Sequence, residues 1–228
     1  MRLLPGLTGL LVLAGSASAD LTGMYFAPID NGEPDYVTYR AYARFDSYVD
    51  QIGAYAGLEG RPLFFSTDAP AGIYNVDVHE NGHLNDLPFG NGSYIDIDTW
   101  LTIGQVGGFE GFPEFSPDFL GVPGGENVQV LVDGLTDFSH EDSAVFFPGP
   151  ARPVHTWGDN EVPIDVALAQ FTVAAPAPGE ELYMEFGAVI QWMNGDGDVF
   201  QDYHTAIVPA PGALALLGMA GLRGRRRR

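Results

Sequence analysis

The sequence predicts an all-β chain built as a single antiparallel sandwich or jelly-roll-like domain, and three observations point there. Apolar residues recur at every second position over several segments, the period of a half-buried strand. The dipeptides Asn31-Gly32, Asn81-Gly82, Asn91-Gly92, Asp133-Gly134 and Asn194-Gly195 fall between those segments, and Asn-Gly and Asp-Gly are what tight hairpins favour. Finally, 30 glycines and 17 prolines leave little room for long helices, and no helical segments alternate with the strands as a parallel α/β fold requires.

The chain opens on Arg2, an apolar run from Leu3 to Leu13, and Ala17-Ser18-Ala19 before Asp20. A charged n-region, an h-region and a small-x-small site make residues 1–19 a secretory signal peptide, a helix cut after Ala19. The body then runs over residues 20–208. Val37, Tyr39, Ala41, Ala43 and Phe45 form one apolar face, with Thr38, Arg40, Tyr42 and Arg44 on the other. Phe45 to Ala56 is the one stretch outside the termini where a turn or two of helix is expected. Leu63 to Phe65 and Tyr74 to Val78 read as short strands. Ile95, Ile97, Thr99, Leu101 and Ile103 make another, with Asp96, Asp98 and Trp100 opposite, and Val128, Val130 and Val132 the next. Ile164, Val166 and Leu168 begin a strand after which Phe171 and Val173 read onto the other face. Leu182, Met184, Phe186, Ala188, Ile190 and Trp192 give the clearest alternation, with Glu185 and Gln191 facing away. Residues Glu110 to Gly125 and Phe147 to Val162 read as long loops. No internal repeat and no second domain is expected.

The body is strongly acidic. All 30 carboxylates lie between Asp20 and Asp202, against Arg40, Arg44, Arg61 and Arg152, a formal charge of −26. Such a surface repels nucleic acid and anionic lipid and attracts divalent cations. Cysteine is absent, so an exported domain here must be held by its core rather than by disulfides.

Residues 209–228 read Pro209-Ala210-Pro211, an uncharged apolar run from Gly212 to Leu222, then Arg223-Gly224 and Arg225, Arg226, Arg227 and Arg228. As a short hydrophobic helix that run spans roughly 16 Å, about half of a bilayer's hydrocarbon core. Transient membrane contact is therefore expected, with the arginines held on the cytoplasmic side. The stretch VPAPGALALLGMAGLRGRRRR resembles a PEP-CTERM sorting signal in which Ala210 replaces the glutamate of Pro-Glu-Pro. The resemblance implies an exosortase-type membrane protease as partner. It implies export, a membrane tether before C-terminal processing, and a destination at the cell surface or outside the cell among extracellular polysaccharide. The stretch TYRAYARFDSYVDQIGAYAG, with DTWLTIG and AQFTV, is similar to pieces of exported PEP-CTERM proteins of planctomycete type, which implies one exported β domain.

Candidate chemistry is sparse. His79-Glu80-Asn81-Gly82-His83 is a literal H-E-x-x-H, but zinc proteases need that motif on a helix. The Asn-Gly at its centre predicts a hairpin tip instead. Asn194, Asp196, Asp198 and Asp202 are spaced as calcium candidates, oxygen ligands at alternate positions suiting a hard cation. Val199 stands where an EF-type loop needs glycine, so an acidic turn is the competing reading. Asp96 and Asp98 form a weaker pair of the same kind. No G-x-S-x-G elbow occurs. Tyr42, Tyr94, Trp100 and Trp157 are candidate exposed aromatics for stacking on sugar rings. The expectation is a non-enzymatic surface or matrix protein, with no catalytic residue and no cofactor beyond calcium. A calcium-dependent carbohydrate-binding module and a secreted hydrolase are the alternatives.

Overall fold

The computed structural model describes residues 21–75, 99–104, 114–115, 131, 133–146, 151–154 and 163–208. The expected signal peptide, the tag, the segment from Val76 to Asp98 and most of the Val128 to Val132 strand lie outside them. The described chain is an all-β sandwich of two antiparallel sheets, and no described helix is long and apolar enough to cross a membrane.

The first sheet has the order β1-β2-β10-β5, with β1 at Leu21–Ile29, β2 at Tyr36–Phe45, β10 at Ile164–Ala174 and β5 at Trp100–Leu101. Its central pair runs from Tyr36↔Ala174 to Phe45↔Ile164. Residues paired directly across a ladder point to the same face. The apolar face expected of β2 is therefore shared by Ile164, Val166, Phe171 and Val173, which pair with Phe45, Ala43, Tyr39 and Val37. This corrects the sequence reading, which put Phe171 and Val173 on the opposite side. The register slips between Ala167 and Ala169, and the extra residue of such a bulge, Leu168, resets the period-two count.

The second sheet is built on β11, Met184–Met193. One edge of β11 carries β12 (Val199–Ile207) along the whole length, from Glu185↔Ile207 to Met193↔Val199. Its other edge is shared end to end by β3 (Gln51–Ala56), which pairs with Val189 to Met193, and β4 (Leu63–Thr67), which pairs with Met184 to Gly187. Beyond them, β7 (Asp137–His140) pairs with β4, and β8 (Ala144–Phe146) with β3. The two-residue strands β9 (Arg152–Pro153) and β6 (Glu114–Phe115) complete the sheet, each inside a stretch expected to be loop. In effect two long strands are each interrupted once, at residues 57–62 and 141–143, and the interruptions face each other. Gly57 N–H donates to the Ser143 carbonyl at 2.8 Å. A Cβ at Gly57 would overlap the His140 carbonyl oxygen, so only glycine permits the crossing.

The expected turn of helix at Phe45 to Ala56 is a bend followed by β3. Pairing along both edges, to β11 on one side and to β8 and β9 on the other, overrides the weak local preference of this Gly- and Ala-containing segment.

Between the sheets, Phe171 of β10 stacks on Phe65 of β4 at 4.0 Å and meets Phe186 of β11 at 5.5 Å. Phe45 meets Trp192 edge-on. These rings are buried, and each fully buried phenylalanine contributes about 1.5–3 kcal/mol of transfer free energy. The sandwich has two poles, because β2, β10 and β11 all run from one end to the other. Tyr36, Ala174 and Met184 mark one pole, and Phe45, Ile164 and Met193 the other. Ten-residue strands set the poles roughly 30 Å apart.

Candidate functional site

The outer face of the first sheet collects the polar residues of β2, and it spends them on one another. Arg44 makes a bidentate pair with Asp165, at 2.7 and 2.9 Å. Its guanidinium lies 4.6 Å over the Tyr25 ring, and Tyr25 stacks on Tyr42 at 5.6 Å. Burial and the neighbouring Asp165 carboxylate push the Tyr25 hydroxyl up to about 12. For Asp165 burial works upward, but hydrogen bonds from Arg44 and Tyr25 outweigh it and hold the carboxyl below its ordinary value. Arg40 donates from Nε and Nη2 to Gln170 Oε1, at 3.2 and 2.7 Å, and its guanidinium stands 5.3 Å from the Trp100 ring. Of the aromatics expected to be exposed, Trp100 is therefore corrected. It sits on the outward face but is only 2% exposed, because Arg40 and Gln170 pack against it on neighbouring strands. Tyr42 is half-buried. This face is a cross-strand ladder whose donors and acceptors are already matched.

The calcium candidates are at the far pole. Asn194 is buried, and its Oδ1 accepts from the N–H groups of Asp196 and Asp198 at 3.0 and 2.9 Å. That closes the β11–β12 turn in the Asx manner and occupies the oxygen expected to face a cation. Asp196 and Asp198 are exposed. Asp202 pairs with Ile190, three rungs from the turn, about 10 Å along the strand, where its carboxylate lies 3.3 Å from His204 Nε2. The structure thus brings Asn194, Asp196 and Asp198 into one turn and leaves Asp202 apart. Among the described residues, no three His, Asp or Glu side chains converge as metal ligands would. The histidines His79 and His83, the pair Asp96 and Asp98, Tyr94, Trp157, the signal-site residues Ala17 and Ala19, and the tag from Pro209 to Arg228 lie outside the described residues.

A concave surface lies at the Tyr36 pole, and sequence reasoning missed it. The β1–β2 hairpin closes through Asn31, whose Nδ2 donates to Thr38 Oγ1 at 2.9 Å while its Oδ1 accepts from Glu33 N–H at 2.9 Å. Beside it lies a hollow of about 410 Å³ with Asp30, Glu33, Tyr36 and Tyr39 in its walls. Tyr36 also borders a second hollow of about 350 Å³, shared with Asp35, Tyr74 and Asp133. The Tyr36 and Tyr74 rings meet there at 4.5 Å with a 42° tilt. Tyr74 is fixed by its N–H to the Thr172 carbonyl at 2.7 Å, and Asp133 by accepting from Asn75 N–H at 3.2 Å. Ala71 and Ala174 connect this hollow to a third, of about 630 Å³, with an Ala- and Pro-rich floor and Asp68, Glu180 and Glu181 at its rim. The shared residues Tyr36, Ala71 and Ala174 make the three hollows neighbours, together a grooved surface at this pole. Volumes of this size are those of ligand sites. A Cβ at Gly72, where φ is +66°, would overlap the backbone of Gly134, so the groove's middle wall is locked by close backbone packing.

Chemically the groove offers phenol rings for stacking and carboxylate oxygens as hydrogen-bond acceptors, on backbone held by the ends of β2 and β10. Comparison with family models, with curated proteins and with solved structures returned no match.

Proposed function

We propose that this chain is an exported, non-enzymatic protein of the cell surface or extracellular matrix, sorted by an exosortase-type system and associated with extracellular polysaccharide through the groove at its Tyr36 pole. The observation that carries the binding half of this reading is the pairing of Tyr36 and Tyr74 inside a groove with Asp35 and Asp133 beside them. Aromatic faces with adjacent acceptors suit the apolar faces and hydroxyl rims of sugar rings. The sorting half rests on Ala17 and Ala19 at one end of the sequence and on Pro209, Ala210, Pro211 and the arginine run at the other.

Fractionation of the native host with and without its exosortase tests the sorting half. The protein is expected to lose its C-terminal processing and change compartment when the exosortase is absent; unchanged cleavage and location would overturn it. Sedimentation of the full chain with the host's own polysaccharide tests the binding half. Co-sedimentation should fall in the Tyr36→Ala, Tyr74→Ala variant.

A further inference from the structure

The described walls of the groove contain no arginine, lysine or histidine, while each of its three hollows carries at least two carboxylates. The charge therefore recurs along the groove rather than sitting at one point. We infer that the groove takes a glycan bearing free amino groups, a polymer of 2-amino-2-deoxyhexose residues in the ammonium form. This rests on the polysaccharide reading above and narrows it to a chemical class.

Two independent features of the groove favour the same ligand. Carboxylates lower the energy of an ammonium group and raise that of a uronate or a sulfate ester, and low-dielectric walls focus the effect. Tyr36 and Tyr74 are half-buried and packed on each other, and where a ring faces the hollow its π face can attract a cation or stack on the C–H face of a sugar. Asp35 is exposed, and its backbone carbonyl accepts from Ala175 N–H at 2.8 Å, so a solvent-facing carboxylate stands on a wall whose main chain is held. A repeating amino sugar presents positive charge at regular intervals, as the groove presents negative charge. A neutral glycan could use the tyrosines but would gain nothing from the charge. An acidic glycan would be repelled by all three hollows.

The test is isothermal titration of the full-length chain at pH 6 with three hexasaccharides: glucosamine, N-acetylglucosamine and galacturonate. The glucosamine oligomer should bind about tenfold tighter than the acetylated one, a gain that shrinks as salt screens the charges, and the galacturonate oligomer should not bind. Tyr36→Ala with Tyr74→Ala should cost about threefold to tenfold, and Asp35→Asn with Asp133→Asn about tenfold. Asp35→Asn alone, at an exposed position, provides a variant whose fold is not at risk. The control is Asp196→Asn with Asp198→Asn at the opposite pole, which should change nothing. Equal losses in the control would mean a general polyanion effect and would overturn the inference. So would a hexalysine peptide that binds as tightly as the glucosamine oligomer and ignores the tyrosine changes, which would identify a cationic peptide as the partner. If the acetylated oligomer binds at the groove and the amine adds nothing, the amino-sugar inference alone fails. If no oligosaccharide binds, the polysaccharide reading fails with it.

Discussion

The hydroxyl of Tyr55 donates to the carbonyl of Leu168 at 2.9 Å, joining β3 of one sheet to the bulge of β10 in the other. Both residues are fully buried. A bulge leaves its extra residue out of the regular ladder; the Leu168 carbonyl accepts from Thr102 N–H at 2.8 Å, and the phenol adds a second donor from across the core. Burial raises the Tyr55 hydroxyl well above its ordinary value, which keeps it protonated as a donor at neutral pH.

Tyr55→Phe removes that donor and leaves the Leu168 carbonyl with the Thr102 N–H alone. The expected cost is about 0.5–1.5 kcal/mol, read as a lower urea midpoint with an unchanged m-value. An unchanged midpoint would mean that the bulge is held by its backbone alone.

The two glycines within the β3–β4 excursion should respond differently. At Gly57 an added methyl meets the His140 carbonyl, and Gly57→Ala should cost more than about 3 kcal/mol. At Gly60, where φ is +70° and nothing lies within 4 Å of a built Cβ, Gly60→Ala should cost only about 1–2 kcal/mol of backbone strain. Thermal melts of the two variants side by side check the contrast. Equal losses would remove the close crossing as the reason for Gly57.

Asp165 is held below its ordinary carboxylate value in the fold. Its ionised form is thus favoured by folding. The contribution is complete above the unfolded value near pH 4 and is lost as pH falls through the lowered folded value. Side-chain exposures of 42% for Arg44 and 29% for Asp165 limit the pair to about 1 kcal/mol or less. Denaturant titrations of the wild type and of Asp165→Asn should differ at pH 7 and converge below pH 4. A gap that persists in acid would assign the effect to shape rather than charge.

Asn194→Ala removes the acceptor shared by the Asp196 and Asp198 N–H groups and should lower stability by about 1 kcal/mol. The same drop is expected in calcium and in EDTA, because that oxygen already has its partners. A wild-type midpoint that rises with calcium would show that the turn opens to receive a cation.

How much of this was readable in advance depended on whether neighbouring residues carried the signal. The alternation of Val37 to Phe45 and of Met184 to Trp192 gives two central strands with the correct inward faces, because each packs one face on the core without interruption. In β10 the reading is right as far as Val166 and inverted after Leu168, since one bulged residue changes the phase without altering composition. β3 was hidden because its pairing partners lie about 90 and 140 residues away in sequence, beyond anything local propensity can register. The groove was hidden for a related reason. Tyr36, Tyr74, Asp133 and Ala174 are unremarkable where they stand in the chain and become neighbours only when the strand ends gather at one pole.

The last described residue, Val208, donates its N–H to the Met184 carbonyl at 2.9 Å, two residues from Leu182 in the groove's third hollow. Leu21, where β1 begins, pairs with Phe45 at the other pole. If residues 209–228 act as the proposed tether, the described chain ends beside the groove where that tether begins. Held that way, the molecule would turn its groove toward the anchoring surface and its Asn194 turn toward the medium. Its ligand would then be the polymer lying between the protein and that surface, which makes the groove a seam with the layer beneath it rather than a trap for chains arriving from outside.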